Sequence, residues 1–329
     1  MKRLNIFRKL IFGLPLTEAE FEVRGFSKEE AAQERLENVA KVVVTGYNTA
    51  LEFGYSKELF MNIKTVKTEL NGFYNEGVGM GLYTLDLFSI FNQNRFWNFI
   101  KNEGKNHEYM SYIGAGIACG VFKRPFKKFL EKASPTSGLL ILNGIGFYYG
   151  YFKPKKTLKN LYVPKSVIGD SFYLECYDNG IGRALWFVNG GNPDKIKKTI
   201  TEFPLSRHAA IWSGVGLAAT YAGGVSQEVI LQLKKLAGEH YIRLAEGSIL
   251  ATHTRDLAGN PHIENTTLFI FSRKTKEECN DFTKEALVRL NNQKFINGEH
   301  SLNVFFKDIR NWIKESEIKN NQKQLLNVV

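Results

Sequence analysis

Four side chains in this 329-residue sequence are of the kinds from which a proton-transfer or charge-stabilising site is assembled: Glu76, Arg183, Glu246 and His253. Glu76 and Glu246 each stand directly before a glycine, and two carboxylates held together can divide the labour of acid and base. Arg183 would stabilise negative charge, and His253 would act as acid or base near neutral pH. Such a site forms only if the elements carrying these residues curl until distant positions meet.

Those elements repeat. Arg207 to Gly224, RHAAIWSGVGLAATYAGG, has relatives around Gly77, Gly114, Gly144, Gly180 and Gly247, with a weaker one at Gly46. From first glycine to first glycine the step averages about 33 to 34 residues, a period typical of helix-turn-helix repeats. Glycine within a helix costs roughly 1 kcal/mol against alanine. Its return at equivalent places therefore points to close backbone approach between helices. The G-x-G pairs lack the preceding strand and the remaining glycine or Gly-Lys-Ser/Thr of a phosphate loop.

The expected fold is all-α: a TPR-like helical-hairpin array, an α-solenoid or superhelix of about seven degenerate repeats. Residues 1–26 form an N-terminal segment, 27–260 the repeats, and 261–329 capping helices and a tail that reads as mobile from Lys314. The expected glycine helices span about 29–53, 76–91, 108–122, 139–152, 172–188, 207–222 and 239–257. Second helices follow near 95–101, 125–132, 194–202 and 227–237, and helices near 276–290 and 301–313 cap the end. Thr266 to Phe271 reads as strand or helix. Trp212, Val215, Gly216 and Ala219 fit the first-helix outline W-x₂-L-G-x₂-Y.

With the first helices lining a concave side, the residue before each first glycine points inward: Thr45, Glu76, Ile113, Asn143, Asn179, Ser213 and Glu246. Further along lie Glu52, Tyr83, Arg183, Trp186, Thr220 and His253, with Arg243 a turn earlier. Tyr83, Asn143, Asn179, Trp186, Trp212, Ser213 and Arg243 then line a ligand groove with Glu76, Glu246, Arg183 and His253. Alternatively these side chains hydrogen-bond neighbouring helices.

Other chemistries find less. The six histidines show no H-E-x-x-H or paired spacing, so no metal is expected, and no motif calls for a cofactor. Ser213 stands in W-S-G-V-G, not in a nucleophile elbow, and Asp86, lacking a second aspartate nearby, reads as a cap or bridge between helices. Cys119, Cys176 and Cys279 are scattered and odd in number, which suits a reducing, cytoplasmic setting. The formal charge is +11, and lysine clusters recur along one expected edge. They suit solvation or an anionic surface, whereas nucleic-acid readers interleave arginine and aromatics with such charge. The apolar run Leu10 to Leu16 is short and broken by Gly13 and Pro15, and reads as an amphipathic segment.

Several pieces together resemble the UnbL-type family of enediyne biosynthesis proteins: Arg24-Gly25-Phe26, Gly46-Tyr47-Asn48, Tyr74-Asn75-Glu76-Gly77, Gly182-Arg183-Ala184-Leu185-Trp186-Phe187 and Trp212-Ser213-Gly214-Val215-Gly216. They cover roughly residues 20 to 260. The resemblance implies a role beside a polyketide pathway and supplies no catalytic residues. The expected function is an accessory protein of natural-product biosynthesis that holds a hydrophobic, polyene-like intermediate or a partner protein. The alternative is a cyclase- or isomerase-like enzyme of the same pathway.

Overall fold

The computed structural model describes residues 8–28, 30–91, 93–260 and 265–326. Residues 1–7 of the basic start and Pro261 and His262 after the seventh repeat lie outside them. Among the described residues, helices dominate, and the only strands are the pair Phe295–Ile296 and Glu299–His300.

Seven helices carry the glycines: α1 (Glu30–Phe53), α2 (Asn71–Leu87), α3 (Glu108–Phe122), α4 (Leu140–Phe152), α5 (Ser171–Val188), α6 (Leu205–Tyr221) and α7 (Tyr241–Leu257). The most extensive helix contacts are those between successive members of this series. Local signals set their ends. The Asp170 carboxylate accepts the amides of Phe172 and Tyr173 at the start of α5, and Gly223 and Gly224, both at positive φ, follow α6. Shorter helices lie in the connections, among them Arg95–Lys101, Lys127–Leu130, Pro193–Thr201 and Gln227–Ala237. Pro193 occupies a first helical position while Asn192 accepts the amide of Lys195 at 3.0 Å.

The glycines fix how the seven helices meet. A methyl group on Gly214 would lie 1.9 Å from the carbonyl oxygen of Asn179, and one on Gly182 would lie 2.0 Å from that of Ile211. The same reciprocal contact joins the other neighbours: the first glycine of a helix faces back and the second faces forward. Backbones this close put glycine Cα–H groups against carbonyl oxygens, a weak but repeated attraction. Gly146 faces Gly180 and, one turn on, Gly150 faces Ala184, so adjacent helices run in the same direction.

This contact pattern corrects the register of the first repeat. Gly46 faces the carbonyl of Tyr74, three residues before Gly77, as Gly116 faces Ile141, three before Gly144. It plays the second glycine's part. Thr45 is therefore displaced from the inward position: it is exposed, and its hydroxyl donates to the carbonyl of Lys41 in its own helix.

The row bends back on itself. The Arg35 guanidinium of α1 donates to the carbonyl of Ala222 at 3.1 Å, the rings of Phe73 in α2 and Tyr221 in α6 lie 4.9 Å apart, and the amide of Ser27 reaches the carbonyl of Val188. These contacts join α1 and α2 and the segment before them to α5 and α6 across the inner face.

Helices α8 (Asn265–Ser272), α9 (Lys276–Leu290) and α10 (Ser301–Leu326) pack on α7. Phe282 stacks on Trp312, centroids 4.3 Å apart. Thr266 to Phe271 is thus helical, and the tail read as mobile from Lys314 continues α10 to Leu326. A further helix, Lys57–Thr65, follows α1. Ser56 caps it through the amide of Leu59.

Candidate functional site: a polar ladder and the clefts beside it

The residue before the first glycine is brought to the same height on successive helices, because that glycine abuts the preceding helix's carbonyl at the same place. The side chains consequently meet. Arg183 reaches both carboxylate oxygens of Glu76 at 3.3 and 3.4 Å and donates to the amide oxygen of Asn143 at 2.8 Å. The Asn143 amide donates to Asn179 at 2.5 Å, Asn179 to the Ser213 hydroxyl at 2.9 Å, and Ser213 to Glu246 at 2.7 Å. Arg310 of α10 closes the ladder on the second Glu246 oxygen, with Arg243 at 3.4 Å. Every rung from Glu76 to Glu246 is buried. A buried polar chain of this kind is stable only with its partners in place.

Glu76 and Glu246 therefore occupy opposite ends of the ladder, Glu76 held by Arg183 and Glu246 by Arg310 and Arg243, and form no acid–base pair. Burial pushes the Glu76 carboxyl above its ordinary range, with Arg183 acting against it.

Two apolar clefts flank this ladder and share Leu217 and Tyr221 in their walls. The first encloses about 690 Å³, counting the part open to solvent, and has Glu76 and Arg183 among mostly apolar walls. The second encloses about 590 Å³ on the same measure; Asn143 and Asn179 touch it, and Leu302, Phe305 and Phe306 of α10 cover part of it.

One rule places a recurring part of the lining. Four residues after each ladder position, Met80, Ile117, Phe147, Arg183 and Leu217 project into the first cleft, as does Tyr47 in the corrected register; Leu217 and Leu250 reach the second. An offset of four stays on the same helix face one turn higher. Of the expected groove residues Arg183 stands at this offset, whereas Tyr83, Trp186, Thr220 and His253 stand seven positions on. Those lie beyond the clefts.

Tyr83 packs against Phe96 and Phe129 beside an outer pocket. Trp186 donates to the carbonyl of Gly223 at 3.0 Å. His253 sits with Nδ1 3.0 Å from the Thr283 hydroxyl; burial lowers its pKa to about 4 and favours the neutral ring. Trp212 is fully buried under Lys197 of a connecting helix. Arg243 pairs with Glu175 and Glu246. Of the expected catalytic quartet Glu76 and Arg183 meet and line the first cleft, and neither Glu246 nor His253 lines either of the two clefts. Asp86, read as a cap or bridge, accepts the amides of Arg95 and Phe96 at 3.2 and 2.9 Å.

Among the described residues no group of three or more His, Cys, Asp or Glu side chains has the geometry of a metal site, and no helix is long and apolar enough to cross a membrane. All three cysteines are free and buried.

Fold and site together define an all-α protein whose packed interior holds apolar clefts beside a buried carboxylate–guanidinium pair. The chain belongs to the family described as "Protein of unknown function (DUF1702)", which it matches over residues 3–312. Neither curated proteins nor solved structures yield a match.

Proposed function

We propose that the first cleft binds one elongated apolar molecule carrying a polar end group, with Arg183 and Glu76 orienting that end. The carrying observation is the pattern of inward residues: Tyr47, Met80, Ile117, Phe147, Arg183 and Leu217 all line this cleft, and Arg183 alone among them is charged. Apolar walls with a few fixed polar groups give burial and orientation together. The wound row of glycine helices, a TPR-like superhelix in this reading, serves as its scaffold.

The resemblance to enediyne biosynthesis proteins supports a polyene-like or polyketide-derived ligand and an accessory role in natural-product biosynthesis. A cyclase- or isomerase-like step is the second reading. It is favoured by the raised pKa of Glu76, which helps that carboxyl hold a proton beside a bound chain.

Titration with a polyene fatty acid such as parinaric acid, whose fluorescence rises in apolar surroundings, tests the binding. One molecule per chain is expected, with binding lost in Leu217→Trp and kept in Lys128→Ala, which lies on an outer pocket. Equal binding by both variants would end the proposal. Incubation followed by mass analysis separates the two roles: an altered product formed by the parent and not by Glu76→Gln supports the enzyme, and unchanged ligand supports the binding protein.

A further inference from the structure

Three of the strongly exposed large apolar side chains of the described residues lie at one corner. Phe91 is 98% exposed and Ile90 85%, on the loop that leaves α2, and Leu10 is 78% exposed on the N-terminal segment. Phe12 and Phe88 join these two segments, their rings 4.8 Å apart, and both pack on Phe122 at the end of α3. The loop is tied at its far end, where Asp86 accepts the amides of Arg95 and Phe96 and pairs with the Arg95 guanidinium. Ile90 and Phe91 are thus held out on a braced projection.

Cations surround it. The Arg124 guanidinium lies 5.3 Å above the Phe88 ring, and Arg124, Lys128 and Lys132 line an outer pocket with Trp97 and Tyr83. Glu131 and the already paired Asp86 are the acids of that pocket. Lys123 and Lys127 are exposed alongside.

We infer that this corner is a docking surface for an anionic lipid bilayer, into which Phe91, Ile90 and Leu10 insert while Arg124, Lys128 and Lys132 meet the headgroup phosphates. Apolar side chains ringed by cations match the apolar-over-anionic profile of such a surface. The net charge of +11 favours the same partner at longer range. The N-terminal segment also leads from the projection to the first cleft, which Leu14 and Glu18 help to line. A protein docked here would hold that cleft near the membrane surface. The inference stands whether or not the cleft binds a ligand.

The test is co-sedimentation of the full chain with vesicles of phosphatidylcholine alone and with about one third phosphatidylglycerol. Binding to the anionic vesicles is expected, weakened at least about tenfold in Phe91→Ser with Ile90→Ser and roughly fivefold by each of Arg124→Gln and Lys128→Gln. Added salt should weaken it further. These positions are exposed, and unchanged thermal melting would confirm that the variants fold. No binding to anionic vesicles, or binding indifferent to these substitutions, would overturn the inference. So would a lipid-free dimer that the Phe91 and Ile90 substitutions dissolve, since the corner would then serve a second copy of the chain.

Discussion

Replacing Gly214 with alanine tests whether glycine sets the helix spacing. In an exposed helix the exchange stabilises by up to about 1 kcal/mol. Here the new methyl group would lie 1.9 Å from the carbonyl oxygen of Asn179, with the Arg183 amide nitrogen at 2.9 Å. Both obstacles are backbone, so no rotamer relieves them. To reach ordinary contact, α6 has to retreat from α5 by roughly 1.5 Å, and a gap of that order forfeits a large part of the dispersion energy along the contact. The expected loss is about 3 kcal/mol or more, read as a lower urea midpoint at unchanged slope. Gly182→Ala should cost a similar amount from the other side, since its methyl would strike Ile211. Made together, the two should cost clearly less than their sum, because the first substitution has already separated the helices. A neutral or stabilising Gly214→Ala, or two additive losses, would refute the reasoning.

Other outcomes follow from the buried polar groups. Arg183→Met leaves the Glu76 carboxylate and the Asn143 amide without their partner and should cost about 3–5 kcal/mol; adding Glu76→Gln should restore part of that loss in the same urea titration. Burial lowers the pKa of both His107 and His253 from 6.5 to about 4. The unfolded chain then binds more protons between these values, so stability should fall on acidification from pH 6.5 towards 4, by up to about 1.4 kcal/mol per pH unit for each histidine. His253→Gln should flatten this slope; a slope indifferent to it would contradict the assignment. Burial also pushes the Cys119 and Cys279 thiols up to about 12, and Cys176 well above its usual value. A thiol reagent at neutral pH should therefore label none of the three quickly in the folded protein and all of them in urea.

The all-helical class and most glycine-helix boundaries were legible because repeated glycines, caps and turn residues are local signals. The ladder was legible in part for the same reason: Glu76, Asn143, Asn179, Ser213 and Glu246 share one place in the repeat, and geometry aligned by backbone contact makes equivalent positions meet. Gly46 misled because α1 keeps only the second glycine of the pair, which shifted Thr45 into a place that belongs to Val43. The closure of the row was hidden. It depends on contacts between remote segments, such as Arg35 with Ala222 and Phe73 with Tyr221, that no repeat period encodes. The clefts were partly missed because part of their lining lies four residues beyond the ladder, where Met80, Ile117, Phe147 and Leu217 look like ordinary core residues in sequence.

The most direct measurement is anomalous diffraction from crystals of the protein grown with a bromine-labelled fatty acid. The account predicts a bromine peak inside the first cleft, among Met80, Phe147 and Leu217, with the carboxylate end towards Arg183. Bromine found only on the outer surface, with the cleft walls closed together around the Glu76–Arg183 pair, would contradict it.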